Sequence, residues 1–166
     1  MRAELQRWAD EVIGKSERFD LGVIDPLWTQ RYAVAVDDLN PLYFDSDHAQ
    51  RHSHKGMIAP PNYVATLRGP QSGGPPDGEL LEDGLAPTAR PPIPGLMAMG
   101  GGQSLEFHAP IYCGEAVFGM RTIVDVEEKQ GRSGLLVTIT EEIRYSSADE
   151  QKLTLRQTLL CKWIEE

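Results

Sequence analysis

The stretch SGLLVTITEEIRY, residues 133–145, sets Leu135, Val137, Ile139, Ile143 and Tyr145 on odd positions, with Thr138, Thr140, Glu142 and Arg144 opposed to them. Apolar and polar residues alternating over this length describe a strand with one buried and one wet face. The same period continues on either side. Upstream, from Ala116, the even positions Phe118, Met120, Val124 and Val126 are apolar, while Arg121 and Asp125 point the other way. Downstream, from Leu153, the odd positions Leu155, Leu159, Cys161 and Trp163 are set against Lys152, Thr154, Arg156, Thr158 and Lys162. Gly131 and the run Ser146 to Glu150 supply the two turns. Each strand is about a dozen residues, well beyond the usual five or six. One face of such a meander needs a cover, and the helices upstream are what the chain offers. The expected fold class is therefore α+β, in a single domain spanning residues 1–166.

Leu5, Trp8, Val12 and Ile13 recur at helical spacing and Gly14 stops the pattern, so residues 2–13 read as a short helix. Ser16 to Ile24 reads as a weak strand. Asp25-Pro26 has the form of an N-cap followed by proline at the first helical position. The helix it starts runs to about Val36, with Trp28, Tyr32 and Val36 on one side, until Asp37-Asp38-Leu39-Asn40-Pro41 breaks it. Pro60-Pro61 can open another helix, Asn62 to Arg68, which Gly69-Pro70 ends. Residues 70–95 are dense in proline and glycine and read as a long loop, either a mobile surface excursion or a flap over a substrate.

Composition narrows the function classes. A formal net charge of −9 leaves no basic field for a phosphate backbone or an anionic membrane, so neither nucleic acid nor membrane is an expected partner. No run reaches the roughly 18 apolar residues of a membrane span. The two cysteines, Cys113 and Cys161, form no disulfide framework and no metal spacing, which suggests a reducing, cytoplasmic setting.

Two segments carry candidate chemistry. In Tyr32 to Ala49 a helix runs into an Asx-rich corner locked by proline, which fixes Asp38 and Asn40 on a rigid turn. A carboxylate and a carboxamide there either cap the turn or bind a hydroxyl or a water. Arg51, Lys55 and Arg68 form a local basic group on an acidic chain, either solvated charge or a cradle for phosphates. His48, His52 and His54 lie within a dozen residues of Tyr43, and His108 lies farther on.

Asp38-x-Asn40-Pro41-Leu42 followed by Ala49 resembles the hydratase-2 motif of MaoC-like dehydratases, a hot-dog family acting on acyl thioesters. Gly56-Met57-Ile58-Ala59-Pro60-Pro61-Asn62-Tyr63 resembles the start of that family's central helix, and its FAS1-like dehydratase branch carries a similar Ala-Pro-Pro. Gly101 to Ile111 and Gly114-Glu115 resemble that branch's strand-and-turn segment before the meander. These matches span about Tyr32 to Trp163 in the family's order.

The resemblance implies a hot-dog fold, a central helix wrapped by a long antiparallel sheet, in chains that pair as homodimers or with another hot-dog chain. It implies an acyl-CoA or acyl-carrier thioester as substrate, as in fatty acid metabolism, and no cofactor or metal. Residues carried over are Asp38, Asn40 and Tyr43 at the catalytic positions, with Gly56, Ile58, Ala59 and Asn62 beside the thioester. Arg51, Lys55 and Arg68 are then placed toward the carrier's phosphates.

Two departures matter. The motif's glycine before the aspartate is Asp37, and its histidine falls on Tyr43. Proton abstraction near neutral pH wants a base titrating near 7, which tyrosine, with a pKa of about 10, does not supply. Two readings follow: an (R)-specific enoyl-CoA hydratase or 3-hydroxyacyl dehydratase using another second group, or a catalytically incomplete subunit that binds the acyl chain beside a competent partner. Thioester hydrolysis would need a carboxylate on the central helix, and Asn62 to Arg68 contains none.

Overall fold

The structure, a computed structural model, describes residues 1–67, 80, 91–131 and 134–163. In chain order the elements are α1 (Ala3–Val12), β1 (Ser16–Val23), α2 (Pro26–Ala35), a short 3-10 turn (Pro41–Tyr43), α3 (Ser46–Arg51) and α4 (Tyr63–Thr66). Four long strands follow: β2 (Leu96–Phe107), β3 (Ala116–Gly131), β4 (Gly134–Ser147) and β5 (Glu150–Trp163). They build one five-stranded antiparallel sheet in the order β1-β3-β4-β5-β2. The meander β3-β4-β5 is its centre, as the alternating sequence requires, and β1 and β2 are its edges.

The helices start and stop where the sequence punctuates them. Asp25 caps α2 by accepting the Trp28 N–H at 3.0 Å, with Pro26 at the first helical position. Gly14, at φ +80°, follows α1. Three expectations need correction. The central helix is a single turn, Tyr63–Thr66, and not a helix from Asn62; Arg68 lies outside the described residues, as does most of the 70–95 loop. The end of that loop is not loose: Ile93 is buried in the core ahead of β2. On α2 the sequestered side is Thr29 and Ala33, while Trp28 is 59% exposed.

One face of the sheet carries two apolar clusters. The first joins Ala59, Tyr63 and Val64 to Val117, Ile143, Tyr145, Leu153 and Leu155. The second packs Leu5 and Ala9 of α1 onto Val126, Val137, Ile139, Cys161 and Trp163. Burial of apolar area at about 25 cal/mol per Å² makes these two contacts the main stabilising force. The strand phase read from sequence holds for β4 and for Leu155, Cys161 and Trp163 of β5, but not for the first half of β3. A bulge between Ile123 and Asp125 puts Val117 and Arg121 on the core side together with Val126, so Phe118 and Met120 face outward. Arg121 turns inward because Glu141 is there to receive it.

β2 also departs from regular pairing. Its register with β5 shifts between Gly100 and Gln103, at the three consecutive glycines. A Cβ added at Gly101 would stand 2.5 Å from the Thr158 carbonyl oxygen, whereas one at Gly102 meets nothing. Gly101→Ala is therefore expected to cost about 1–3 kcal/mol in denaturant unfolding, and Gly102→Ala less than about 0.5 kcal/mol.

Candidate active site

The Asp38-x-Asn40-Pro41 corner is built from the end of α2. Asp37 sits at φ +57°, in the left-handed region. Its N–H reaches the Val34 carbonyl at 3.2 Å, and the Asp38 N–H reaches the Ala33 carbonyl at 2.9 Å. These two bonds are the Schellman closure of a helix, which places a residue of positive φ just past its end. The motif's glycine is thus required by backbone shape, and aspartate stands in because Asp tolerates this region better than most side chains. The next turn is locked by Asn40, whose Oδ1 accepts the Leu42 N–H at 3.1 Å ahead of Pro41. Asp45 then caps α3 through the His48 N–H at 2.9 Å, which holds its carboxyl below the usual carboxylate range.

Tyr43, 4% exposed, points back into this corner. Its hydroxyl donates to Asp38 Oδ2 at 3.1 Å, and Gln30 Nε2 donates to its carbonyl at 3.4 Å. Burial pushes the phenol up to about 12, the hydrogen bond and negative charge of Asp38 add to the rise, and Asn40 opposes it. At neutral pH the phenol is a donor and no base. Asp38, Asn40 and Tyr43 are therefore brought together, as the motif expects, but one carboxylate oxygen is already committed to the tyrosine.

The four histidines sit elsewhere. His48 and His52 stack at 4.2 Å, and His52 Nδ1 donates to the His48 carbonyl at 2.8 Å. His54 lies against Tyr112, and His108 Nε2 lies 2.9 Å from the Thr154 hydroxyl. Among the described residues Asp38 hydrogen-bonds Tyr43 and no imidazole. Among the same residues no group of three or more His, Cys, Asp or Glu side chains is placed to hold a metal ion.

The second segment joins this corner to the sheet. The Ile58 N–H bonds the Leu42 carbonyl at 3.2 Å, and the Ala59 N–H bonds the Ile111 carbonyl at 2.8 Å. Ile58, Ala59, Pro60 and Pro61 form one wall of a cavity of about 290 Å³, with Phe107 to Ile111 opposite and Lys152 and Leu153 also lining it. Gly56 precedes this wall, and Asn62, exposed, leads into α4 without capping it.

Of the basic residues, Arg51 is exposed at the end of α3, while Lys55 is committed: its ammonium lies 2.6 Å from Glu115 Oε1, which raises its pKa. Glu115 also reaches Lys152 at 3.3 Å and accepts the Tyr112 N–H. Burial works against the Glu115 carboxylate, but Lys55, the Tyr112 N–H and Lys152 together hold it below the usual range. Lys152, 1% exposed, was expected on the wet face of β5; its ammonium is instead sequestered by Glu150, Glu115 and the Pro110 carbonyl. The sequence offered no sign of this, since the partners come from 35 or more residues upstream apart from Glu150.

Residues 28–155 match the family described as FAS1-like, dehydratase domain region. The chain belongs to that family. Among curated relatives of this FAS1-like dehydratase domain are a UPF0336 protein of Streptomyces coelicolor and one of a Parafrankia species. The first is 26% identical over 82% of this chain and 83% of its own. The second is 30% identical over 68% and 67%. Among solved structures, the ChsH1-ChsH2 complex from Mycobacterium tuberculosis superposes with a TM-score of 0.75 at 20% identity, covering 95% of this chain and 90% of that one. The HadBC (3R-hydroxyacyl-ACP dehydratase) complex from the same organism gives 0.66 at 17% identity, over 90% and 96%. The unliganded R-hydratase PhaJ1 from Pseudomonas aeruginosa gives 0.61 at 17%, over 96% and 91%. The fold is the hot-dog of the MaoC-like dehydratases.

Restoring glycine at the corner tests the backbone argument. Asp37→Gly is expected to raise stability by about 0.5–1 kcal/mol in urea unfolding, because the left-handed strain goes while both closure bonds stay.

Proposed function

We propose that this chain is the acyl-binding, catalytically incomplete subunit of a dehydratase of the hot-dog type, working beside a second hot-dog chain that carries a complete motif. The reading rests on the Tyr43 hydroxyl, which occupies one oxygen of Asp38 where the family's chemistry needs a base. Hydration of an enoyl thioester, or its reverse, moves a proton to or from carbon at neutral pH. A phenol held near 12 cannot accept that proton, and losing the base typically costs about 10²- to 10⁴-fold. The corner remains well built for another purpose: it anchors the Ile58–Pro61 wall of the apolar cavity through Leu42.

Pairing is supported by the sheet itself. Among the described residues β2 is an edge strand of the sheet, and Met99 and Phe107 on it are each 53% exposed. Long edges of this kind attract another strand. Two of the superposed structures, by their names, are complexes or carry two components, ChsH1-ChsH2 and HadBC. The acyl thioester and its coenzyme A or carrier protein remain part of the proposal, as does a cytoplasmic setting; among the described residues no helix is long and apolar enough to cross a membrane.

The test is hydration of a short enoyl-CoA, followed by loss of the enoyl absorbance. The chain alone is expected to match its own Asp38→Ala variant at background. Adding a hot-dog hydratase chain with an intact Asp-His pair that co-purifies with it is expected to give turnover that Asp38→Ala in this chain leaves unchanged. Turnover by the chain alone, abolished by Asp38→Ala, would instead make it an enzyme in its own right.

A further inference from the structure

We propose that the cavity between residues 58–61 and 107–111 takes the hydrocarbon end of the acyl chain and leaves the thioester and its carrier outside. The proposal rests on the acyl-binding reading above and names the part of the ligand that the cavity holds. On the first wall, the Ile58 N–H is spent on the Leu42 carbonyl at 3.2 Å and the Ala59 N–H on the Ile111 carbonyl at 2.8 Å. Pro60 and Pro61 have no N–H at all. Four successive residues of this wall thus offer no backbone donor to a ligand oxygen.

The polar groups on the other side are committed too. The His108 and Ala109 N–H groups both reach the Lys152 carbonyl, at 2.9 and 3.3 Å, and Pro110 again has none. The buried Lys152 ammonium has three N–H donors and meets three acceptors: Glu150 at 2.5 Å, the Pro110 carbonyl at 3.0 Å and Glu115 at 3.3 Å. The His108 ring is held by its neighbours. Its Nε2 lies 3.0 Å from the Gln151 amide nitrogen and 2.9 Å from the Thr154 hydroxyl, and its Nδ1 lies 4.0 Å from Glu106. What these walls present to a ligand is hydrocarbon, with Ala59, Ile111 and Leu153 as the buried lining.

A thioester carbonyl moved in here gives up its water and gains no donor from the 58–61 wall, which is unfavourable. The amides and hydroxyl of a pantetheine arm lose more, because each needs a partner. An alkyl end loses nothing and gains about fourfold in affinity per buried methylene. The methyl end therefore enters first and the thioester stays at the mouth, left to the chain that carries a complete motif. Ile58 and Ala59, which the family resemblance sets beside the thioester, contact the acyl tail instead. This orientation is independent of whether the Asp38 corner catalyses.

Methyl NMR of the whole chain, read at Ile58, Ile111 and Leu153, locates a ligand in the cavity and gives its affinity. There 1-hexanol is expected to bind about tenfold more tightly than 1-butanol. It is also expected to bind about tenfold more tightly than 1,6-hexanediol, whose second hydroxyl has to enter the cavity unpaired. Hexanoyl-CoA is expected to shift the same methyls and to compete with 1-hexanol. Labelled with carbon-13 at the thioester, it is expected to keep the carbonyl stretching frequency it has in water. Three results overturn the hydrocarbon-first orientation and leave the acyl-binding reading intact: 1-hexanol binding no better than 1-butanol or 1,6-hexanediol, hexanoyl-CoA binding where 1-hexanol does not, or a bound carbonyl moved to lower frequency, the mark of donors polarising it. Failure of hexanoyl-CoA to bind, with or without 1-hexanol, overturns both.

Discussion

One hydrogen bond governs the character of this protein's central corner: the Tyr43 hydroxyl to the Asp38 carboxylate. It exists because the backbone leaves neither group another place to go. The Schellman closure after α2 fixes Asp38, the Asn40-Pro41 turn fixes Tyr43, and burial of the ring removes water from between them. A charged-acceptor bond in such surroundings is stronger than a neutral one. The proton it holds on the phenol leaves Tyr43 a donor and not a base at neutral pH.

The same corner is mechanically coupled to the rest of the fold. Leu42, between Asn40 and Tyr43, receives the N–H of Ile58, and the wall that follows hangs on Ile111 at the entrance to β3. Behind that wall, Tyr63 and Val64 of the one-turn α4 pack onto β4 and β5. A chain that loses the family's histidine can therefore keep the motif's scaffold for structural reasons alone, since removing the turn would unseat the cavity wall. The Lys55–Glu115–Lys152 network braces the opposite wall, where Pro110 accepts from the buried ammonium. Replacing either lysine partner would leave charge in a dry place, which is costly.

Much of this was legible in the sequence because it is local. Period-two alternation located β4 and β5, and Asp25-Pro26 marked the start of α2 within a residue. The Asp38-x-Asn40-Pro41 corner was recognisable because a Schellman closure and an Asx-Pro turn are each written in a few consecutive residues. What stayed hidden is non-local. The bulge near Ile123 inverts the phase of β3, and nothing in Phe118 to Val126 announces it; the reason Arg121 faces inward is Glu141, twenty residues away. Lys152 looked like a solvated strand residue because its acceptors, Glu115 and Pro110, belong to the turn before β3. The central helix was overestimated because Ala65 to Leu67 continue a helical pattern that the chain abandons after Thr66.

The most direct test of the account is the ionisation of Tyr43, followed by carbon NMR of tyrosine labelled at the ring carbon bearing the hydroxyl. The account predicts one resonance that titrates near 12, vanishes in Tyr43→Phe and moves toward the ordinary tyrosine value of 10.0 in Asp38→Asn. Because the folded-state value is raised, the associated stability is present below pH 10 and lost as pH climbs toward 12, in the wild type but not in Tyr43→Phe. A Tyr43 resonance that titrates near 10 and ignores Asp38→Asn would show that the phenol and the carboxylate are not joined, and the reading of the corner as closed by Tyr43 would fail.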